Sequence, residues 1–212
     1  MKEIKVKCIS DNIEDNCLED ASNLLDSFNK NKIQYEPWPG LQWKPKVSFA
    51  IAHNSSNIFL KYFVEEKHIR AINHSTNSPV YEDSCVEFFI SFDEGATYYN
   101  IEINCIGTAL VGYGSSKNDR QLLETALVDN LKRKSITTSN NGEGFIWHLT
   151  LVIPSSIFIH SPIQKLKGLR CKANFYKCGD LLPEPHFMTW SNIIADIPNF
   201  HLPIFFGRLI FE

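Results

Sequence analysis

Strict alternation of apolar and polar side chains constrains the fold of this chain more than any other feature of its sequence. In residues 85–92, one parity is entirely apolar, with Val86, Phe88, Ile90 and Phe92, and the other is mixed, with Cys85, Glu87, Phe89 and Ser91. Residues 99–105 repeat the alternation, and the segment DEGAT between the two runs has the composition of a tight turn. Because the side chains of a strand point alternately to opposite faces, the two runs predict an antiparallel hairpin with one apolar face.

The same period of two recurs in other segments, which are residues 58–65, 145–153, 169–177 and 204–211. Aromatic residues form 12% of the chain and include fifteen phenylalanines, whose flat rings pack well on pleated sheets. Many alternating segments and few helical ones predict an all-β fold, a two-sheet β-sandwich of jelly-roll type with one or two short helices. The residues expected between the two sheets are Val86, Phe88, Ile90, Phe92, Ile101, Ile103, Trp147 and Leu149.

The N-terminal part of the chain has a different pattern. Apolar residues at helical spacing predict one short helix, and they are Leu18, Ala21, Leu25 and Phe28. Asp15 or Asn16 could cap it, and the proline-rich segment YEPWPGLQWKPK that follows is typical of an extended connector. The segment RQLLETALVDNL predicts a second helix or helical turn. No change in composition divides the chain, so residues 1–212 are expected to form one domain, with residues 1–46 packed on the sandwich.

Composition and charge exclude several function classes. Lysine and arginine number 21 against 24 aspartate and glutamate, and a net charge of −3 lacks the basic footprint of a nucleic-acid-binding protein. No apolar run approaches the roughly 18 residues of a membrane span, and the N-terminus lacks the apolar stretch of a signal peptide. We therefore expect a cytoplasmic protein that binds neither nucleic acid nor membrane. The sequence indicates no oligomeric state.

The cysteines of the chain are Cys8, Cys17, Cys85, Cys105, Cys171 and Cys178. They form no CxxC pair and match no zinc-site spacing, so neither a metal nor a cofactor is predicted. In a reducing compartment we expect free thiols that pack as small apolar residues. Cys85 and Cys105 lie on neighbouring predicted strands, so they are the pair most able to form a disulfide.

The second face of the predicted hairpin collects polar side chains. Glu87 lies on one strand, and Asn100, Glu102 and Asn104 lie on the next. Carboxylates beside amides suit hydroxyl-rich ligands, since the carboxylates accept hydrogen bonds and the amides both donate and accept them. Two close carboxylates could also act as the acid–base pair of a glycoside-processing enzyme. A solvated sheet face with cross-strand hydrogen bonds is a third interpretation.

A second polar cluster occupies the segment NFYKCGDLLPEPHFMTW, and its members are Asn174, Tyr176, Lys177, Asp180, His186 and Trp190. The charge of Lys177 could lower the pKa of the Cys178 thiol. Asp180 and His186 could bind a metal together with His201, although their spacing matches no known ligand pattern. A turn with a charged rim explains the cluster equally well, and Trp190 follows an apolar run that is typical of a core.

Three strings resemble the family-9 carbohydrate-binding modules, and more closely the stand-alone family-9-like proteins. They are YEDSCVEFFISFDEG, YYNIEINCIGT and the ending TWSNI…NFHLPIFFGRLIF. The D-S-x-V-E-x-F core and the closing F-G-x-L are the most specific pieces, and the resemblance runs from about Val47 to the C-terminus. It implies a β-sandwich that binds the ends of glycan chains without catalysis. Some family members also hold structural calcium, for which this sequence offers no matching acidic ligands.

The resemblance also implies a position for the ligand. In the characterised modules two tryptophan rings clamp a sugar, and the same spacing leads here to Tyr81, six residues before Glu87, and to Phe200, seven residues before Gly207. Glu87 matches a ligand-contacting residue, whereas an arginine that contacts sugar is replaced by Glu102. The expected carbohydrate site is Tyr81, Glu87, Glu102, Asn104 and Phe200. Secondary candidates are Lys177, Asp180, His186, Trp190 and His201.

The leading hypothesis is a non-catalytic carbohydrate-binding domain that recognises a mono- or oligosaccharide through an aromatic clamp and a polar sheet face. It assigns no catalytic residue. Two alternatives stay open: an intracellular enzyme that acts on a sugar or sugar conjugate through the Glu87 and Glu102 carboxyls, and a protein-interaction sandwich. A binder should release its sugar unchanged, whereas an enzyme should form a new species.

Overall fold

The computed structural model describes residues 2–9, 17–38, 40 and 43–212. Within them lie the helices α1 (Leu18–Asp26) and α2 (Thr125–Val128). The strands are β1 (Glu3–Cys8), β2 (Asn31–Ile33), β3 (Lys46–His53), β4 (Asn57–Glu66), β5 (Cys85–Ser91), β6 (Tyr98–Asn104), β7 (Ala109–Gly114), β8 (Gln121–Leu122), β9 (Lys132–Ser139), β10 (Phe145–Pro154), β11 (Arg170–Cys178), β12 (Phe187–Thr189) and β13 (Gly207–Phe211).

The strands form one mostly antiparallel sheet that curls so that its two halves face each other. The first half contains β8, β7, β6, β5, β11 and β13, and the second half contains β3, β4, β10 and β9. The strand order of the sheet is β8-β7-β6-β5-β11-β13-β1-β3-β4-β10-β9, with β12 paired to β11 and β2 paired to β3. Strand β1 joins the halves, because its first residues pair in parallel with β13 while Lys7 and Cys8 pair in parallel with β3. The prediction of an all-β, two-sheet sandwich is confirmed.

The apolar core lies between the halves. The Phe175 ring of β11 stacks on Phe49 of β3 at 3.7 Å between centroids and on Phe88 of β5 at 4.9 Å. The Tyr62 hydroxyl of β4 donates a hydrogen bond of 2.8 Å to the backbone oxygen of Glu87, which ties the two halves together. Seven of the eight predicted core residues are at most 1% exposed. The exception is Phe92, which is only partly buried because β5 ends one residue earlier, at Ser91.

Helix α1 covers the outer face of the second half. Its buried side chains, Ala21 and Leu25, pack among apolar residues of β3, β4 and β10. The Lys61 ammonium of β4 anchors the helix through hydrogen bonds to Ser22 Oγ at 2.7 Å and Asp26 Oδ1 at 2.6 Å. The proposed caps, Asp15 and Asn16, lie outside the described residues. The predicted second helix shortens to the single turn of α2, preceded by strand β8.

The outer face of the first half is covered by loops instead of solvent. A separate apolar cluster forms over β5, β6 and β11, and its buried members are Val80, Cys85, Phe89, Tyr98, Leu110, Tyr176, Cys178, Ile193, Phe200 and Phe206. The polar residues of the hairpin lie beneath these loops and are at most 3% exposed: Glu87, Asn100, Glu102 and Asn104. The interpretation of this face as solvated is therefore wrong. Among the described residues, no helix has the length and apolar character needed to cross a bilayer.

Candidate functional site

A cleft opens where these loops leave part of the β5–β6–β11 face uncovered. It encloses about 560 Å³ of space, including its open mouth, and its lining residues are Tyr81, Glu87, Glu102, Lys117, Arg120, Cys178, Asp180, Phe187, Pro198, Asn199, Phe200 and His201. Four of the five expected carbohydrate-binding residues therefore line one cavity, together with Asp180 and His201. Alternation along β5 and β6 aims both glutamates at this face, and the loops before β5 and β13 bring in Tyr81 and Phe200.

The floor of the cleft is a pair of buried carboxyl groups. Glu87 and Glu102 lie directly opposite each other in the β5–β6 ladder and are 3% and 2% exposed. Glu102 Oε1 accepts hydrogen bonds from Asn100 Nδ2 at 2.8 Å and from Arg120 Nη1 at 3.0 Å. Its second oxygen, Oε2, is buried and has no hydrogen-bond partner among the described residues. Because buried polar groups are nearly always hydrogen-bonded, an oxygen without a partner is unusual at this position.

The two carboxyls have different electrostatic surroundings. Burial, and then the charge of Glu102, raises the pKa of Glu87 well above its usual range. Burial also raises the pKa of Glu102, but the Arg120 guanidinium opposes that effect through a direct ion pair. Of the two carboxyls, Glu102 therefore carries the charge more readily and Glu87 the proton. An ionised carboxylate only accepts hydrogen bonds, whereas a protonated carboxyl also donates one, so the pair can present both functions to a ligand.

Arg120 is the main site residue that sequence reasoning missed. It stands just before β8 at the edge of the sheet and carries no periodic signal. Its Nη1 also donates to His201 Nε2 at 3.2 Å, which requires that nitrogen to be the unprotonated one. His201 Nδ1 then donates to the Tyr98 hydroxyl at 2.8 Å. Burial, reinforced by the charge of Arg120, lowers the pKa of His201 to about 3, so this imidazole is neutral.

The rim of the cleft carries one further carboxyl and one further cation. Burial raises the pKa of Asp180 to about 6, and the nearby Lys117 ammonium opposes the rise. The backbone N–H of Asp180 donates to the Tyr81 carbonyl at 3.1 Å, which ties the loop after β11 to the turn before β5. The charge of the rim therefore changes at mildly acidic pH, where Asp180 gains or loses its proton.

Aromatic rings form the walls. Phe200 stacks on Tyr176 with 4.2 Å between centroids and 9° between ring planes, and it is only 8% exposed. Trp38 supports the same wall, with its ring 6.1 Å from Phe200 and its indole N–H donating to the Ala195 oxygen at 2.7 Å. Tyr81 is half-buried, and the pKa of its hydroxyl is raised by burial and by the charge of Glu102. Phe200 is thus a rigid wall, and Tyr81 is the more accessible ring.

Asn104 belongs to the sheet face but not to the cleft lining. Its amide N–H groups donate to Asp83 Oδ2 at 2.9 Å and to the Asn73 oxygen at 2.8 Å. Its carbonyl oxygen accepts the Thr108 backbone N–H at 2.9 Å. Asn104 therefore organises the turns beside the cleft.

Lys177 and His186 lie on the core side of β11, because Lys177 has the opposite parity to the cleft residue Cys178. The Lys177 ammonium lies 2.9 Å from Glu66 Oε2 and 2.8 Å from His186 Nε2. Glu66 Oε1 in turn accepts the Trp147 indole N–H at 2.6 Å. The sequence left open that Lys177 could lower the pKa of the Cys178 thiol, but burial raises that pKa instead.

Trp190 is a core residue, with its ring edge-on to Phe49 and Phe175. It also explains the glycine of the closing F-G-x-L string. A Cβ atom at Gly207 would lie 2.4 Å from Trp190 Cζ3, closer than carbon atoms can approach.

The thiols and carboxyls near the cleft meet in an arrangement that spacing did not predict. Asp180 and His201 line the cleft while His186 contacts Lys177, so these three do not share a site.

Within the described part of the chain, one group of three potential ligands converges: Cys85, Glu87 and Cys178. Two sulfur donors do not suit calcium, which takes oxygen ligands.

All six cysteines are free thiols. Cys85 pairs in register with Cys178 of β11, whereas Cys105 faces the core on the other side of the sheet. The selection of Cys85 and Cys105 as the pair most able to bond was therefore wrong.

Comparison with known proteins agrees with this architecture. The model of carbohydrate-binding family 9 matches residues 19–211. A proposed carbohydrate-binding protein from Bacteroides uniformis has a crystal structure that is 38% identical, with a TM-score of 0.90 over 100% of this chain and 99% of that one. No curated protein shows a significant match.

Two solved structures of a family-9 carbohydrate-binding module from Caldicellulosiruptor kristjanssonii share the fold at low identity. One, in complex with glucose, is 12% identical with a TM-score of 0.64 and covers 100% of this chain and 96% of its own. The other, in complex with cellotriose, is 13% identical with a TM-score of 0.65 and covers 100% and 94%.

Proposed function

Because this chain belongs to carbohydrate-binding family 9, we propose that it is a non-catalytic domain that binds a mono- or oligosaccharide in the cleft over β5, β6 and β11. One observation carries the assignment to this cleft. Glu102 lines the cleft, and its carboxylate oxygen Oε2 is buried without a hydrogen-bond partner among the described residues. An unsatisfied buried polar atom costs about 1–3 kcal/mol, and a ligand hydroxyl that donates to it would recover that free energy.

The rest of the cleft supplies the other contacts that a sugar needs. The Arg120 guanidinium can donate hydrogen bonds to hydroxyl or ring oxygens, and the Glu87 carboxyl, whose pKa burial raises, can do so when it holds a proton. Tyr81 and Phe200 offer ring faces against which the C–H faces of a sugar can pack, which makes them the proposed clamp. Asp180 and Lys117 would contact substituents at the rim. The proposed binding requires no cofactor, so a chelator should leave it unchanged.

Calorimetric titration of the reduced protein with glucose, cellotriose and then a panel of glycans tests this proposal. A saturable isotherm is expected for at least one sugar, and the sugar should be recovered unchanged. Binding should be weakened in Glu102→Gln and kept in Glu143→Gln, an exposed site remote from the cleft that controls for loss of one charge. Absence of binding across the panel, or equal binding by both variants, would overturn it.

The divergent surroundings of Glu87 and Glu102 favour one second candidate, an enzyme that acts on a sugar or sugar conjugate. A protonated carboxyl beside an ionised one is the pattern of a general acid and its partner. Incubation with the bound glycan, followed by mass spectrometry, separates the two functions. A new species that forms with the wild type and disappears with Glu87→Gln would favour the enzyme, and an unchanged glycan would favour the binder.

A further inference from the structure

Three ligating side chains converge at the floor of the cleft. Cys85 and Glu87 are two residues apart on β5 and therefore point to the same face. Cys178 lies opposite Cys85 in the β5–β11 ladder. The ligating atoms of the three all lie within 4.8 Å of one another, and Cys178 Sγ is 3.0 Å from Glu87 Oε1. We propose that Cys85, Glu87 and Cys178 form a binding site for a thiophilic divalent cation such as Zn²⁺ or Cd²⁺.

The donor set and its spacing suit such a cation. Zinc binds thiolates at about 2.3 Å and carboxylate oxygens at about 2.0–2.2 Å, so ligand atoms around a tetrahedral ion are roughly 3.5–3.8 Å apart. To meet this spacing, the observed 3.0 Å contact between Cys178 Sγ and Glu87 Oε1 would lengthen by about 0.5–0.8 Å, and the other donor pairs already lie within 4.8 Å. All three stand on adjacent strands of a rigid sheet, which holds them in place before the ion arrives.

The site has an entry path and an open coordination position. Glu87 and Cys178 line the cleft, so an ion can reach them from solvent. Three protein ligands leave the fourth position of a tetrahedral ion open for water. This inference concerns a cation and does not depend on whether the cleft binds sugar.

Binding must displace protons. Burial raises the pKa of the Cys85 thiol to about 11 and that of Cys178 well above its usual range, and it raises the pKa of Glu87. When one divalent cation binds to the two thiols and the carboxyl group, up to three protons are released to solvent. Affinity should therefore rise with pH, as it does for other sites whose ligands must deprotonate.

Titration of the reduced protein with Cd²⁺ tests the site through the ultraviolet charge-transfer absorbance of cadmium–thiolate bonds. We expect saturation at one equivalent, with an absorbance that matches two thiolates and with proton release into a weak buffer. Cys85→Ser and Cys178→Ser should each lose at least half of the absorbance and weaken binding at least tenfold. Cys171→Ser and Cys8→Ser, a buried and an exposed cysteine outside the cluster, should leave both unchanged.

Several results would overturn the proposal, and some of them need only the wild-type protein. A titration without thiolate charge-transfer absorbance, or with absorbance that depends on Cys8 or Cys171 instead, would do so. A cadmium-113 NMR shift that reports only oxygen ligands would do so as well, and this measurement does not rely on any variant folding. If thiol counting finds four free thiols in protein kept under reductant, a Cys85–Cys178 disulfide occupies the position and the cation site is refuted.

Discussion

Glu102→Gln removes one negative charge from the cleft floor while it keeps the shape of the side chain. The glutamine oxygen can still accept from Asn100 and Arg120, which now bond to Oε1. The amide NH₂ takes the place of Oε2, so a ligand hydroxyl meets a donor where it would have met a charged acceptor. A hydrogen bond to a charged group contributes about 1.5–3 kcal/mol, and each 1.4 kcal/mol is a factor of ten in affinity. Sugar affinity should therefore fall about 10- to 140-fold.

The same substitution should change stability little. Relief of the cost of burying the Glu102 charge offsets the lost ion pair, and the Arg120 side chain left behind is 16% exposed and can be solvated, so we expect a change in unfolding free energy within about 1 kcal/mol by urea denaturation. It should also lower the pKa of Glu87, because the charge of Glu102 is one of the causes that raise it. Carbon-13 NMR of the side-chain carboxyls measures that shift directly.

These readouts separate a ligand contact from a structural role. Titration calorimetry with the best glycan gives the affinity, and Glu143→Gln is the charge-matched control. An unchanged affinity, together with a lowered pKa of Glu87, would show that Oε2 does not contact the ligand. A large loss of stability would show that Glu102 acts mainly through the fold.

Three further outcomes are expected. Tyr81→Ala should cost about 1–3 kcal/mol of sugar affinity, the range of an aromatic anchor, with little effect on the melting temperature because the ring is half-buried. Lys177→Met should reduce the unfolding free energy by about 3–5 kcal/mol in urea, since it leaves the 1%-exposed Glu66 carboxylate without its cation. Asp180 has a folded pKa of about 6 against an ordinary value of 3.8, so its neutral form favours the folded state and stability is lost as pH rises between these values. If the midpoint of urea unfolding is measured between pH 3.8 and about 6, Asp180→Asn should remove the share of its decline that comes from Asp180.

Each of these outcomes has a clear opposite. If Tyr81→Ala lowers the melting temperature and leaves every glycan titration unchanged, Tyr81 packs against the loops and does not contact the sugar. Lys177→Met with wild-type stability would mean that the ion pair between Lys177 and Glu66 adds nothing to the stability of the fold. An Asp180→Asn protein with the wild-type pH profile would assign the pH dependence to another group.

Sequence alone determined the sandwich and the orientation of the residues along its strands. Period-two alternation is a local property of an extended chain, so the parity of Val86 and Phe88 put them in the core, and the parity of Glu87 and Glu102 put them together on the other face. Motif spacing added Tyr81 and Phe200, which do line the same cleft as the two glutamates. Parity also separates Lys177 from Cys178, although their adjacency in sequence had suggested an interaction.

Only the tertiary structure decided what covers that face and which distant side chains reach it. Alternation cannot distinguish a solvated face from one buried under loops, because both are polar in sequence, and here the loops leave Glu87 and Glu102 only 3% and 2% exposed. Arg120 reaches Glu102 from outside a regular strand, where no periodicity predicts direction. Cys85 and Cys178 are far apart in sequence and meet because β11 inserts between β5 and β13. Strand order depends on the packing of the whole chain, and local pattern carries no information about it.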